Sequence, residues 1–241
     1  MTRNQTPTEQ IEKLRGHALL FSENLRSLIQ AFEMLQPVAE DQSLLRQYSG
    51  TERAHGLLVV RWSLIQECLI GIAKLAFDRQ ANNPSARNLV TGLLGPEAKE
   101  IREILRAEFA VPIRPAPSPG CEFTKVNLEV WEEVEKQEVN ELQKEYDDHL
   151  KGLREGWLWF ENHQTEFKKI RDKQLARADT SKVGSDYVLT PVNGPDWKTV
   201  KEAIDRLVEL AKLLLTVLHR LDESFDQFRQ LAKRDASGFW Q

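Results

Sequence analysis

The sequence predicts an all-α fold, an antiparallel bundle of long helices. Three observations carry that expectation. Apolar residues recur at spacings of three and four over long windows, as one face of a helix requires. Helix starts and stops are spelled out by capping boxes, prolines and glycines. No alternating strand pattern of any length occurs, apart from a short extended piece at "DYVLT".

The first helix starts at "TPTE", with Thr6 as N-cap, Pro7 at the first helical position and Glu9 three residues after the cap. Ile11, Leu14, Ala18, Phe21, Leu25, Leu28, Ile29 and Phe32 follow in helical rhythm, and Pro37 is expected to end it. A second capping box, "SGTE" at 49–52, opens a helix over 51–78 that is apolar on most sides, as a central helix should be. It carries Arg61, Glu67 and Lys74, which argues for a core helix and against a membrane span. Leu64, Ile65, Cys68, Leu69 and Ile72 are expected to be deeply buried, with Leu214 and Leu218 of the last long helix. "NNPSA" breaks the chain, and short helices are expected at 85–94 and 96–109, the second with Pro96 at its first position.

Residues 111–120, "VPIRPAPSPG", hold four prolines and read as a stiff extended connector. A long helix is expected from about 128 to 176. Its first part, 128–150, is acidic: residues 129–148 hold nine acids against Lys136 and Lys144. Val130, Val134, Leu142 and Tyr146 mark a narrow apolar stripe on it, and the charges read as a solvated face. No histidine stands at matching spacing, so no carboxylate metal centre is expected, and nothing in the sequence asks for a cofactor. Gly152 and Gly156 are positions where the helix could bend. Trp157, Trp159 and Phe160 supply bulky core or interface material. After "ADTSKVGSDYVLTPVNGP", with Pro195 at the expected first position, a last long helix carries Ile204, Leu207, Val208, Ala211, Leu214, Leu215, Leu218 and Leu221. The whole chain, 1–241, reads as one helical domain.

Bulk composition narrows function only by exclusion. The 241 residues are 41% hydrophobic and 29% charged, ordinary for a globular protein. A net charge of −4 gives no global attraction to nucleic acid or anionic membrane, so polyanion binding would need a local patch. Cys68 and Cys121 form no redox or metal-ligand spacing. The start "MTRNQTPTEQ" has no apolar signal region, so a cytoplasmic location without membrane association is expected.

One local patch stands out, "FKKIRDKQLARAD" at 167–179. Lys168, Lys169, Arg171, Lys173 and Arg177 are opposed within it only by Asp172 and Asp179. Cations at a helix C-terminus favour the dipole and the exposed carbonyls, which is the bland reading. The sharper reading is a phosphate site, with the Arg forks holding phosphate and the lysines adding attraction.

"IRDKQLARAD", a polar loop and then "DWKTVKEAIDRLVELAKLLLTVLHRL" resemble the HEPN superfamily, in particular its AbiU-type (abortive-infection) branch. "LLVVRWSLIQECLIGIAKLAFDRQ" looks like the central core helix of that branch. The resemblance covers roughly residues 10–95 and 150–222. It implies a HEPN-like helical bundle and a homodimer in which two motifs meet across the interface. It also implies metal-independent RNA cleavage by transesterification, in a toxin–antitoxin or phage-defence setting. By position, Arg171 matches the motif Arg and Asp172 its polar neighbour. Where the motif has His, this chain has Arg177.

That departure matters chemically. A general base needs a pKa near working pH, which imidazole has and guanidinium lacks. Arg177 could still stabilise charge on a phosphate. The sequence therefore leaves three functions open. One is a degenerate nuclease that binds RNA or a protein partner such as an antitoxin, through Arg171, Asp172 and Arg177 with Lys168, Lys169 and Lys173. The second is a working RNase with an altered base. The third is an interaction protein with no RNA role. Among the histidines, His163 is eight residues before Arg171, about 12 Å along a helix, too far to share its site within one chain. His17, His55, His149 and His219 have no sequence link to the motif.

Overall fold

A computed structural model describes residues 6–40, 52–112, 125–175, 180–183, 186–189 and 197–240. Its helices are α1 (Pro7–Glu40), α2 (Glu52–Phe77), α3 (Ala86–Leu94), α4 (Lys99–Phe109), α5 (Lys125–Leu175), α6 (Trp197–His219) and α7 (Phe225–Trp240), with a 3-10 turn Pro96–Ala98 ahead of α4. The strands among the described residues are a short antiparallel pair, β1 (Thr180–Val183) and β2 (Asp186–Leu189), with Thr180 opposite Leu189 and Val183 opposite Asp186. The fold is all-α, and the extended piece expected at "DYVLT" is β2.

The first capping box forms as read. Thr6 N–H donates to Glu9 Oε2 at 2.8 Å, and Glu9 N–H donates to Thr6 Oγ1 at 3.3 Å. Thr6→Ala should therefore cost about 1 kcal/mol in chemical denaturation, with an unchanged denaturant slope. A cost indistinguishable from zero would show that packing further along α1 makes the cap redundant. Apart from Glu52, which opens α2, the "SGTE" box lies outside the described residues, as does most of the proline connector. Pro37 does not end α1. It forfeits one bond to the Glu33 carbonyl, but the helix continues to Glu40 because Leu35 and Val38 are buried on either side of it.

The interhelical contacts fix the directions of the bundle. Gly71 of α2 lies under Leu28 of α1, while Arg61 and Ile65 sit beside Leu35 and Ala39, so α1 and α2 are antiparallel. Gly152 and Gly156 of α5 face Leu213 and Leu210 of α6 in reverse order, so these two are antiparallel as well. α5 is continuous through both glycines. A Cβ at Gly156 would lie 3.0 Å from Leu210 Cδ2, so the missing side chains permit close approach of the two helices.

α2 packs against α1, α5 and α6. Its core stripe is Leu57, Cys68, Leu69, Ile72, Leu75, Ala76 and Phe77. Leu64 and Ile65, expected to be deeply buried, are only half-buried. The reason is visible one turn earlier: Val59, Val60 and Trp62 are exposed, Trp62 by 54%, so the first half of α2 lies at the edge of the bundle. Phe77 ends α2 in an aromatic cluster, with ring centroids 6.0 Å from Phe160, 6.0 Å from Phe167 and 6.3 Å from Trp157 of α5. Cys68 is fully buried, and burial with nearby Glu67 pushes its thiol up to about 12, so it is an inert core residue at neutral pH. The acidic start of α5 projects with Val130 and Val134 exposed, and its apolar stripe becomes core only at Tyr146 and Leu153.

α7 is an addition to the expected fold. α6 stops at Arg220, which adopts φ 54 and donates its N–H to the Thr216 carbonyl at 2.9 Å, a left-handed cap usually built with glycine. The chain then returns alongside α1. Trp240 Nε1 donates to the Met34 carbonyl at 2.8 Å, and Phe225, Ala232 and Ala236 are buried.

Candidate functional site

Residues 167–175 of the cationic stretch form the last turns of α5, and the rest of the stretch lies outside the described residues. Phe167 is fully buried and anchors those turns to the aromatic cluster around Phe77. One turn earlier, His163 stacks on Trp159 with ring centroids 4.0 Å apart, and its Nδ1–H donates to the Trp159 carbonyl at 2.8 Å. Arg206 of α6 lies over the Trp159 ring at 6.0 Å. The entry to the stretch is thus an aromatic shelf braced by α2 and α6.

Beyond it, the helix carries the positions of Lys168, Lys169, Arg171, Asp172 and Lys173, whose side chains lie outside the described residues; Arg177 lies outside them altogether. Helix geometry alone orders the positions. Lys168 and Arg171 are three apart and share a face, with Arg171 about 40° from the position of buried Phe167. Lys169 and Lys173, four apart, share a different face. Arg171 is therefore the cation placed closest to the side of α5 that meets the bundle.

The described histidines have other occupations. His219 Nε2–H donates to the Arg15 carbonyl at 3.0 Å, and His149 Nε2 meets Glu145 Oε1 at 3.3 Å. His17 lines a groove between α1 and α3, where burial and then Lys13 hold its pKa below the usual imidazole value. The His55 side chain lies outside the described residues. Among the described residues, no three His, Cys, Asp or Glu side chains converge as metal ligands. No helix among them is long and apolar enough to cross a membrane.

The amino-acid sequence of this helical bundle matches a known family model. The model, described as AbiU2 of the HEPN group, aligns with residues 11–239. The chain belongs to the HEPN AbiU2 family. The match runs through the proline connector, the acidic part of α5 and α7, which the visible motif resemblance did not reach. Membership makes this HEPN AbiU2 chain a helical protein of an abortive-infection, defence-related group. No curated protein and no solved structure gives a significant match.

A second polar site was not legible in the sequence. Lys13 and His17 of α1, Arg79 of the α2–α3 connector and Arg87 of α3 line one groove of about 700 Å³. Their positions are scattered along the chain, and no local window could have joined them.

Proposed function

We propose that this HEPN AbiU2 protein acts as a cytoplasmic homodimer that binds RNA through the end of α5, with a nuclease centre disarmed by Arg177. The observation that carries the reading is the pairing of family membership over residues 11–239 with an Arg where the family resemblance places the histidine. Arg171 would grip phosphate through its planar fork, with Lys168, Lys169 and Lys173 adding attraction. Arg177 would add charge stabilisation without proton transfer. Such a protein would sequester RNA, or engage an antitoxin-like partner, in a defence or toxin–antitoxin setting.

The assembly has physical support in the apolar edge of the bundle. Val59, Val60 and Trp62 on α2 form an exposed run of the kind that marks interaction surfaces. Sedimentation at micromolar concentration should give a dimer, and a monomer would count against the paired-motif arrangement.

RNA binding is tested by titrating single-stranded RNA at rising salt. Affinity should fall steeply with salt, because phosphate contacts release counterions. Arg171→Ala should weaken binding about tenfold, and Lys168→Ala less, because only the Arg can hold a phosphate bidentately. Absence of RNA affinity at low salt would favour the purely interaction-based role. RNA cleavage by the purified protein that disappears in Arg171→Ala would favour a working RNase with an altered base.

A further inference from the structure

The groove between α1, the α2–α3 connector and α3 presents a charge pattern that the folding of the bundle does not account for. Lys13, Arg79 and Arg87 enter it from three different elements, against one lining carboxylate, Glu97. Lys13 and Arg87 are half-buried, yet among the described residues none of the three cations forms an ion pair. Elsewhere on α1 the pattern is the opposite: Arg15 and Arg26 are matched to Glu108 and Glu223. Half-buried Lys13 and Arg87, with exposed Arg79, outnumber the one lining carboxylate and hold positive potential in a concave, partly desolvated space.

The groove is also built to keep its shape. Asp78 Oδ1 accepts from Gln80 N–H at 2.9 Å and Asp78 Oδ2 from Asn83 Nδ2 at 2.8 Å. Buried Ser85 donates to the Asp78 carbonyl at 2.8 Å and caps α3 by accepting from Asn88 N–H at 3.2 Å. Asn88 Nδ2 donates to the Gln80 and Asn83 carbonyls. These bonds fix the connector that bears Arg79. The floor is closed by direct contact of α1 with α3: a Cβ at Gly92 would lie only 2.7 Å from Leu14 Cδ2. Leu14, Ala98 and Ile101 make the floor apolar.

We propose that this groove is a binding site for a small phosphorylated molecule, its phosphate or diphosphate group held by Lys13, Arg79 and Arg87 and its organic body resting on the floor over Leu14 and Ile101. The volume lies within the range of small-molecule pockets. Cations entering from three elements suit the three or more oxygens of a phosphate group better than the two of a carboxylate. The site is separate from the α5 stretch and does not depend on the RNA reading.

The test is calorimetric titration of the full-length chain with three probes: pyrophosphate, a hexose bisphosphate and adenosine diphosphate. At least one should bind saturably with one site per chain. Pyrophosphate alone would assign the site to the phosphate group; tighter binding of either organic probe would show that the floor takes part and which body it prefers. Lys13→Gln and Arg87→Gln should each weaken binding about tenfold, the scale of one lost charge-assisted contact. Arg171→Ala should leave it unchanged, which keeps this site distinguishable from the RNA surface. Circular dichroism and thermal melts of the two groove variants should match the unaltered protein. No saturable binding of any probe at millimolar concentration would overturn the proposal. So would equal affinity in the groove variants, or binding of single-stranded RNA that depends on Lys13 and Arg87 while the small probes do not bind.

Discussion

Replacing Arg229 with methionine should destabilise the protein by about 3–5 kcal/mol, because it strands a buried carboxylate. Arg229 Nε donates to Glu33 Oε1 at 2.7 Å, and Nη1 donates to Asp205 Oδ1 at 2.6 Å. Glu33 has no side-chain exposure, whereas Asp205 is 45% exposed. Loss of the guanidinium leaves Asp205 in contact with water but leaves Glu33 with nothing. Its other oxygen, Oε2, already lacks a hydrogen-bond partner among the described residues, so Arg229 is its main compensation. The same guanidinium lies 5.8 Å from the Phe32 ring and joins α7, α1 and α6 at one point. Its own pKa is raised: burial acts against it, and the bonds and charges of Glu33 and Asp205 outweigh burial. It therefore stays charged through any usable pH range. Urea unfolding should show the loss as a lower midpoint at similar slope. Glu33→Leu combined with Arg229→Met should recover most of the lost stability, as apolar replacements of buried ion pairs usually do. A single Arg229→Met within 1 kcal/mol of the parent would mean that water reaches Glu33 and that the pair is effectively exposed.

Signals that act within a turn of chain are legible in this sequence, and those that depend on packing are not. Thr6, Pro7 and Glu9 act within one helical turn, and the short helices at 86–94 and 99–109 are announced by Ser85 and Pro96. These signals are local, so a reader of the sequence sees them. α7 carries apolar positions 225, 228, 232, 236 and 240 at helical spacing, but Arg220 hides its boundary with α6. A non-glycine residue in the left-handed region gives no stop signal, and Arg220 is held there by its guanidinium bond to the Val111 carbonyl at 2.5 Å and its place over Phe109. The half-burial of Leu64 and Ile65 was hidden for a related reason. A helix that is apolar on most sides does not say which neighbours cover it, and the first half of α2 lies at the bundle's edge. The candidate RNA site was legible as chemistry, because Arg171 and Arg177 stand in one short window. The groove was not, because Lys13, Arg79 and Arg87 meet only once α1 and α3 have packed through Leu14 and Gly92.

Arg177→His should create or raise metal-independent RNA cleavage by about 10²–10⁴-fold, the usual contribution of a positioned general acid–base. The chemistry is specific. Transesterification requires the ribose 2′-hydroxyl to lose its proton as its oxygen attacks the neighbouring phosphorus, and the leaving 5′-oxygen to gain one. An imidazole near neutral pH can hold or release a proton for either step. A guanidinium, protonated throughout, can do neither, however well it faces the phosphate. If Arg171 still grips the phosphate, the proton carrier is the one part the centre lacks, and a single substitution restores it. The gain should be lost again in Arg171→Ala/Arg177→His, and it should persist in the presence of a chelator. Its rate should rise and then fall around the imidazole pKa, since both protonation states are used. Binding should change little or weaken slightly, because one fixed positive charge is exchanged for a partial one. Cleavage unchanged from the parent in a folded, dimeric Arg177→His protein would mean that more than the proton carrier has been lost. The end of α5 would then be a cationic helix terminus or partner surface, with its lysines serving the helix dipole.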